Sequence, residues 1–207
     1  MLQYSTVEPG TLEVLKKLLA LPELSNFYLV GGTALSLYYG HRLSVDLDLF
    51  STSDFQAESL LPVLENNFPD FSYRNPNTVG ILGFIGDIKV DFVRYYHHPM
   101  IGVPHIEDGI KLISTYDIMA MKVAAILKRA VKKDFWDIAE LLDHYTMEEL
   151  INCYIKKYSS HQLLISIPQA LTYFDDANDS EDPVSLKGQT WESVKKRISR
   201  KVSDYLK

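Results

Sequence analysis

Two aspartates separated by one residue, Asp46 and Asp48, carry the strongest chemical signal in this sequence. The stretch Ser44 to Phe50 alternates polar and apolar residues, the period of a strand. On a strand, Ser44, Asp46 and Asp48 share one face, and the two carboxylates stand roughly 7 Å apart. Like charges held so close repel, and burying them unpaired is costly. A divalent cation resolves that conflict. Mg²⁺ takes one or two carboxylates and completes its shell with phosphate oxygens and water. Asp91, on a second alternating stretch, supplies a third carboxylate. Three strand-borne aspartates could hold two metals, which clamp the attacking and leaving oxygens of phosphoryl or nucleotidyl transfer. The plainer alternative is a set of solvated carboxylates on exposed strands.

Next to this cluster in sequence lies Gly31-Gly32-Thr33, after the apolar run Phe27 to Val30. Glycines let backbone amides approach a ligand without a Cβ in the way. A helix beginning there, capped by Thr33 and ended by Gly40, points its N-terminus at the same spot and favours a phosphate. Arg42 either touches phosphate or pairs with Asp48.

The elements that must position these groups fall into two halves. Thr11 to Leu21 has helical periodicity and ends at Pro22. Leu60 to Asn66 reads as helix. Val79 to Phe84 and Asp87 to Val93 read as strands joined through Gly86-Asp87. Ile101 to Ile113 reads as loop and short strand. Beyond Tyr116 the pattern becomes helical: Ile118 to Ala130, Asp134 to Tyr145, Met147 to Tyr158, Leu163 to Phe174, and a last helix from about Thr190. The expected fold is α+β, a mixed sheet with helices over residues 1–115, followed by a helical half over 116–207 that closes a cleft.

The combination Gly31-Gly32-Thr33-Ala34-Leu35, Arg42-x-Ser44-x-Asp46-Leu47-Asp48-Leu49-Phe50 and Lys133-Asp134-Phe135-Trp136-Asp137-Ile138 resembles the AbiEii/AbiGii toxin family. That family lies within the DNA polymerase β-like nucleotidyltransferase superfamily. Asp182-Pro183-Val184-Ser185-Leu186-Lys187-Gly188 with Trp191 is similar to its C-terminal end. The resemblance implies a minimal nucleotidyltransferase core. It implies that Gly31, Gly32 and Thr33 meet the triphosphate of an NTP, with Ser44 and Arg42 beside them. Asp46, Asp48 and Asp91 would bind Mg²⁺, and Asp91 could take the acceptor proton. Lys122 matches the family's basic residue for triphosphate, and Asp134 and Asp137 its acidic motif, where they would position substrate or act as a base. The chain departs from the pattern at Lys132-Lys133, where an arginine is expected; charge is kept but bidentate geometry is not. The implied acceptor is an RNA, such as tRNA, or a protein hydroxyl. The implied partner is a separately encoded antitoxin. A non-catalytic NTP-binding member and a small-molecule nucleotidyltransferase of the aminoglycoside-modifying type are the competing readings.

Composition fits a globular chain: 207 residues, 46% hydrophobic and 23% charged, with net charge −6. A wholly basic nucleic-acid binder is not indicated. The stretch Lys187 to Lys207 runs against that balance, with seven Lys/Arg against Glu192 and Asp204. It is either a solvated helix face or an RNA contact. One cysteine, Cys153, excludes an intrachain disulfide, and no Cys/His spacing suggests zinc. No apolar run approaches the ~20 residues of a membrane span, and the N-terminus lacks a signal-like pattern, so the expected location is the cytoplasm with no membrane partner.

Overall fold

Seven strands form one mixed sheet in a computed structural model that describes residues 1–74 and 76–207. The strands are β1 (Phe27–Leu29), β2 (Leu47–Ser51), β3 (Phe71–Tyr73), β4 (Gly80–Ile85), β5 (Ile88–Arg94), β6 (His105–Glu107) and β7 (Ile110–Leu112), in the order β3-β4-β5-β2-β1-β7-β6. β2 and β5 pair in parallel, as do β1 and β7, and the remaining pairs are antiparallel. The alternation read from the sequence sets the faces of β2: Leu47, Leu49 and Ser51 are buried, while Asp48 and Phe50 face outward. The β2–β5 register sets Asp48 directly beside Asp91.

Among the described residues eight α-helices accompany the sheet: α1 (Pro9–Leu19), α2 (Gly31–Tyr39), α3 (Ala57–Asn67), α4 (Thr115–Lys128), α5 (Lys132–His144), α6 (Met147–Lys157), α7 (Ile167–Thr172) and α8 (Trp191–Tyr205). Their ends follow local chemistry. Gly40 stops α2 in the left-handed conformation, φ 65°. Ser114 accepts the Asp117 amide to start α4. Capping boxes open α6 (Thr146/Glu149), α7 (Ser166/Gln169) and α8 (Thr190/Ser193). Among the described residues no helix is long and apolar enough to cross a membrane.

Three local expectations change, and one strand has no sequence expectation behind it. Thr33 does not cap α2: the helix already begins at Gly31, and Val30 occupies the cap position without a side-chain bond. The strand expected from Ser44 starts only at Leu47. The preceding residues pair elsewhere: Ser44 N–H donates to Thr6, Leu43 N–H to Val184, and Leu186 N–H to His41. The helix expected from Leu163 starts at Ile167, where Ser166 caps it and Pro168 fits its first turn. β3, short and largely exposed, has no clear pattern in the sequence.

The strands end at Leu112 and α4 begins at Thr115, yet one core runs through both halves, from Leu15 and Leu29 to Ile138 and Ile198. α8 docks on α5 through Trp191, which stacks on Trp136 with ring centroids 5.8 Å apart and 9° between planes. α4 and α6 are joined by a buried pair, Lys157 Nζ to Asp117 Oδ1 at 2.6 Å. Asp117 also accepts the amides of Ile101 and Gly102, and Lys157 donates to the Pro99 carbonyl. The pair therefore pins the 99–102 segment between two helices. Asp117→Ala leaves a buried ammonium unpaired and is expected to cost about 3–5 kcal/mol, read as a lower urea midpoint; an unchanged midpoint would contradict this role.

Candidate active site

The site is a cleft of about 300 Å³ between the sheet and α4. Val30, Gly31, Asp48, Phe50 and Tyr95 line it from the sheet side, and Met121, Lys122, Lys128 and Arg129 from α4. One wall is anionic and the facing wall cationic.

On the anionic wall, Asp48 is partly buried. Burial pushes its carboxyl above the usual aspartate range; Lys89 opposes this, while Asp91 and Asp46 add to it. Asp91 Oδ2 accepts from Lys89 Nζ at 2.6 Å. Asp91 Oδ1 is buried and has no hydrogen-bond partner. Asp46, outside the strand, is half-buried and lies 3.7 Å from Lys133 Nζ. Among the described residues no three His, Cys, Asp or Glu side chains converge into a ready-made metal cage. The donor set nevertheless fits Mg²⁺: crowded carboxylates, one orphaned buried oxygen, and a cleft through which phosphate and water can complete the shell.

On the cationic wall a buried charge network holds Lys122. Its Nζ lies 2.6 Å from Asp137 Oδ2 and 3.0 Å from Asp134 Oδ1. Burial alone would depress the lysine's pKa, but Asp137 and Asp134 outweigh it and hold the ammonium charged. Two of its three N–H donors are thus used, and one remains for a ligand. Arg129 grips Asp134 through Nε (2.9 Å) and Nη2 (3.1 Å), with half its side chain exposed toward the cleft. Asp137 is fully buried. It accepts from Arg42 Nε at 2.7 Å and Arg42 Nη2 at 2.9 Å, and His41 Nε2 lies 2.7 Å away.

This geometry differs from the sequence expectation at several residues. Arg42 neither faces phosphate nor pairs with Asp48: it is buried, and its remaining Nη1 donates to the Leu43 carbonyl. Asp137 is not available as a base. Burial would raise its pKa, but Arg42, Lys122 and His41 hold its carboxyl well below the usual range. Asp134 is likewise held below that range, since Lys122 and Arg129 outweigh its burial. Thr33 is buried; its hydroxyl donates to the Asp46 carbonyl, with Ser44 Oγ 2.9 Å away. Thr33 and Ser44 therefore fix the backbone of Asp46 from behind.

The glycines serve close approach, in part to protein. A Cβ on Gly31, whose φ is +71°, would sit 2.9 Å from Asp48 Oδ2. A Cβ on Gly32 would collide with Arg42 Nη2. Lys128, Arg129, Tyr95 and Tyr158 also line the cleft, and Lys89 bonds Asp91 beside it, although no motif marked them. Arg129 had one legible signal, its spacing of five residues before Asp134; Lys89 had another, sharing a strand face with Asp91.

The chain and its fold are similar to known proteins. The family model described as nucleotidyl transferase AbiEii toxin, type IV TA system, matches residues 13–205. An uncharacterized protein of Aquifex aeolicus (strain VF5) is 33% identical over 201 residues, covering 94% of this chain and 95% of that protein. An H. pylori protein crystallised as a candidate nucleotidyltransferase superposes with TM-score 0.59 at 18% identity, over 96% of this chain and 95% of that one. The nucleotidyltransferase toxin MenT4 of Mycobacterium tuberculosis H37Rv superposes with TM-score 0.55 at 16% identity, over 94% and 82%. At such identities these two likenesses show the fold.

The two aspartate classes predict opposite stability effects. Asp137's depressed pKa means its contribution is complete above the unfolded value of about 3.9 and is lost as pH falls below it. Asp137→Asn is expected to cost about 3–5 kcal/mol at neutral pH, measured by urea unfolding. Asp48's raised pKa means its ionised form opposes folding. Metal-free Asp48→Asn is expected to melt above wild type at pH 7, with the gap closing as pH falls toward the unfolded aspartate value. A lower melting temperature for Asp48→Asn, or a neutral Asp137→Asn, would contradict the charge balance described.

Proposed function

The chain belongs to the AbiEii nucleotidyl transferase toxin family, and from that premise we propose that it transfers a nucleoside monophosphate from an Mg²⁺-bound NTP to a hydroxyl of an RNA such as tRNA. The observation that carries this reading is Asp48, held beside Asp91 by strand register, facing Lys122 and Arg129 across one cleft.

Asp46, Asp48 and Asp91 would hold Mg²⁺. When bound, the ion supplies charge neutralisation at the triphosphate and lowers the barrier to attack on the α-phosphorus. The free N–H of Lys122, the exposed edge of Arg129 and Lys128 bind the triphosphate tail. The N-terminus of α2, which lacks a side-chain cap, presents its amides and positive dipole end at Gly31 and Gly32. The acceptor oxygen forms a bond to the α-phosphorus as the bond to the β-phosphate bridging oxygen breaks, and pyrophosphate leaves. Asp91 Oδ1, the carboxylate oxygen without a partner, takes the acceptor's proton. Asp134, Asp137 and Arg42 are positioning residues: they fix Lys122 and Arg129 and do not touch substrate.

Charge distribution favours RNA over protein as acceptor. Lys187 to Lys207 carries net +5 in a chain of net −6, so residues 1–186 carry −11. On α8, Lys196, Arg197, Arg200 and Lys201 line a hollow of about 430 Å³. Among the described residues Lys196 and Lys201 form no ion pair, unlike Arg197, which bonds Asp143 at 2.6 Å. A localised cationic stripe on an acidic protein suits a polyanion. Within this reading the protein acts as the toxin of a two-gene system whose antitoxin is encoded separately.

The test combines purified protein, Mg²⁺, each α-³²P-labelled NTP and total tRNA, with Asp48→Ala and the double variant Lys196→Glu/Arg200→Glu alongside. Wild type is expected to label tRNA and Asp48→Ala to leave it unlabelled. The double variant should label less at low salt, with its difference from wild type shrinking as salt rises. Label on the protein itself would move the acceptor to a protein hydroxyl. Bound NTP with no labelled product would favour a non-catalytic role.

A further inference from the structure

Resting on the nucleotide reading above, we propose that the nucleobase of the NTP stacks on an aromatic wall formed by Phe50, Tyr95 and Tyr158 at the end of the cleft opposite its cationic residues. The cleft is chemically divided along β2. Asp48 and Phe50 share a face and are two residues apart, a rise of about 7 Å. The carboxylate end faces Lys122 and Arg129, which suit a triphosphate. The Phe50 end offers rings and small apolar groups, with Ala124 and Ala125 opposite leaving room for a flat ligand. A nucleotide whose phosphates occupy the charged end therefore has its base at the aromatic end.

The wall is braced as a platform should be. Phe50 and Tyr95 rings lie 4.8 Å apart at 43°. The Tyr95 and Tyr158 hydroxyls share a hydrogen bond of 2.5 Å, so neither ring turns freely. His161 stacks behind Tyr158 at 5.1 Å and 17°. Lys157 Nζ lies 5.0 Å from the Tyr95 ring centroid, and that ammonium is itself fixed by Asp117 and the Pro99 carbonyl. Burial raises the pKa of both tyrosines, so the pair stays neutral and its shared hydrogen bond persists across the working pH range. Much of α6 and the 99–102 segment thus converges on holding two rings that the transfer chemistry does not require. Phe50 and Tyr95, half-buried in a cleft whose other end is built for phosphate and backed by the buried Tyr158, are a stacking surface for a base, since every base presents a π-face.

The test separates base from phosphate. Binding of the four α,β-methylene NTPs and of inorganic tripolyphosphate, each with Mg²⁺, is measured by calorimetry on wild type, Phe50→Leu and Tyr95→Leu. Leucine keeps apolar volume and removes the ring. NTP affinity is expected to fall roughly 5- to 100-fold in each variant, with tripolyphosphate affinity unchanged; Tyr95→Leu also melts lower, because it leaves the buried Tyr158 hydroxyl without its partner. Unchanged NTP affinity in both variants overturns the proposal, as does a parallel loss of both ligands, which would make the rings merely structural. Wild type binding neither ligand overturns the nucleotide reading itself, and this inference with it.

Discussion

The arrangement depends on two buried carboxylates three residues apart on α5. Asp134 and Asp137 are inaccessible to solvent, and each is surrounded by hydrogen-bonding basic side chains drawn from different parts of the chain. Arg42 and His41 come from the segment after α2, Lys122 from α4, and Arg129 from the turn between α4 and α5. Isolated buried charges would be untenable, so the network fixes the relative positions of the sheet half and the helical half. It also reaches the C-terminal segment, because the residues flanking Arg42 pair with Val184 and Leu186. Removing one member strands the others.

That satisfied network stands opposite an unsatisfied one. Asp46, Asp48 and Asp91 are crowded without enough cations: Lys89 and Lys133 contact only Asp91 and Asp46, and Asp48 is left with a raised pKa. The contrast is informative. A structural cluster is neutralised from within, as Asp137 is; a cluster left short of positive charge is suited to importing it. Stability is given up at the carboxylates and recovered at α5, the pattern expected where a site is preorganised for an ion and a charged ligand. Gly31 and Gly32 make both halves possible, one admitting Asp48 and the other Arg42 against the same helix start.

Much of this was legible in the sequence, unevenly. The period-two pattern around Asp48 and Asp91 predicted their strand faces, because alternation is a local property of the chain. The parallel pairing that sets them side by side was not, since register between strands separated by forty residues depends on tertiary packing. Lys122, Asp134 and Asp137 stood out by resemblance, but their roles did not. A carboxylate's identity does not reveal whether it faces substrate or an arginine nearly a hundred residues away, as Asp137 faces Arg42. Thr33 and Ser44 illustrate the same point: the Thr33 hydroxyl turns inward to the Asp46 carbonyl, beside Ser44 Oγ. Lys89, Arg129, Phe50, Tyr95 and Tyr158 lie on ordinary amphipathic patterns, and only the fold brings them to one cleft.

The central claim is that the short-charged carboxylate wall is built to receive a divalent cation together with a triphosphate. Calorimetric titration of a non-hydrolysable NTP into wild type and Asp91→Asn, with Mg²⁺ or with EDTA, tests it most directly. The account predicts binding at least about tenfold tighter with Mg²⁺ in wild type, and loss of that difference in Asp91→Asn. Equal affinity in Mg²⁺ and EDTA for wild type would contradict it.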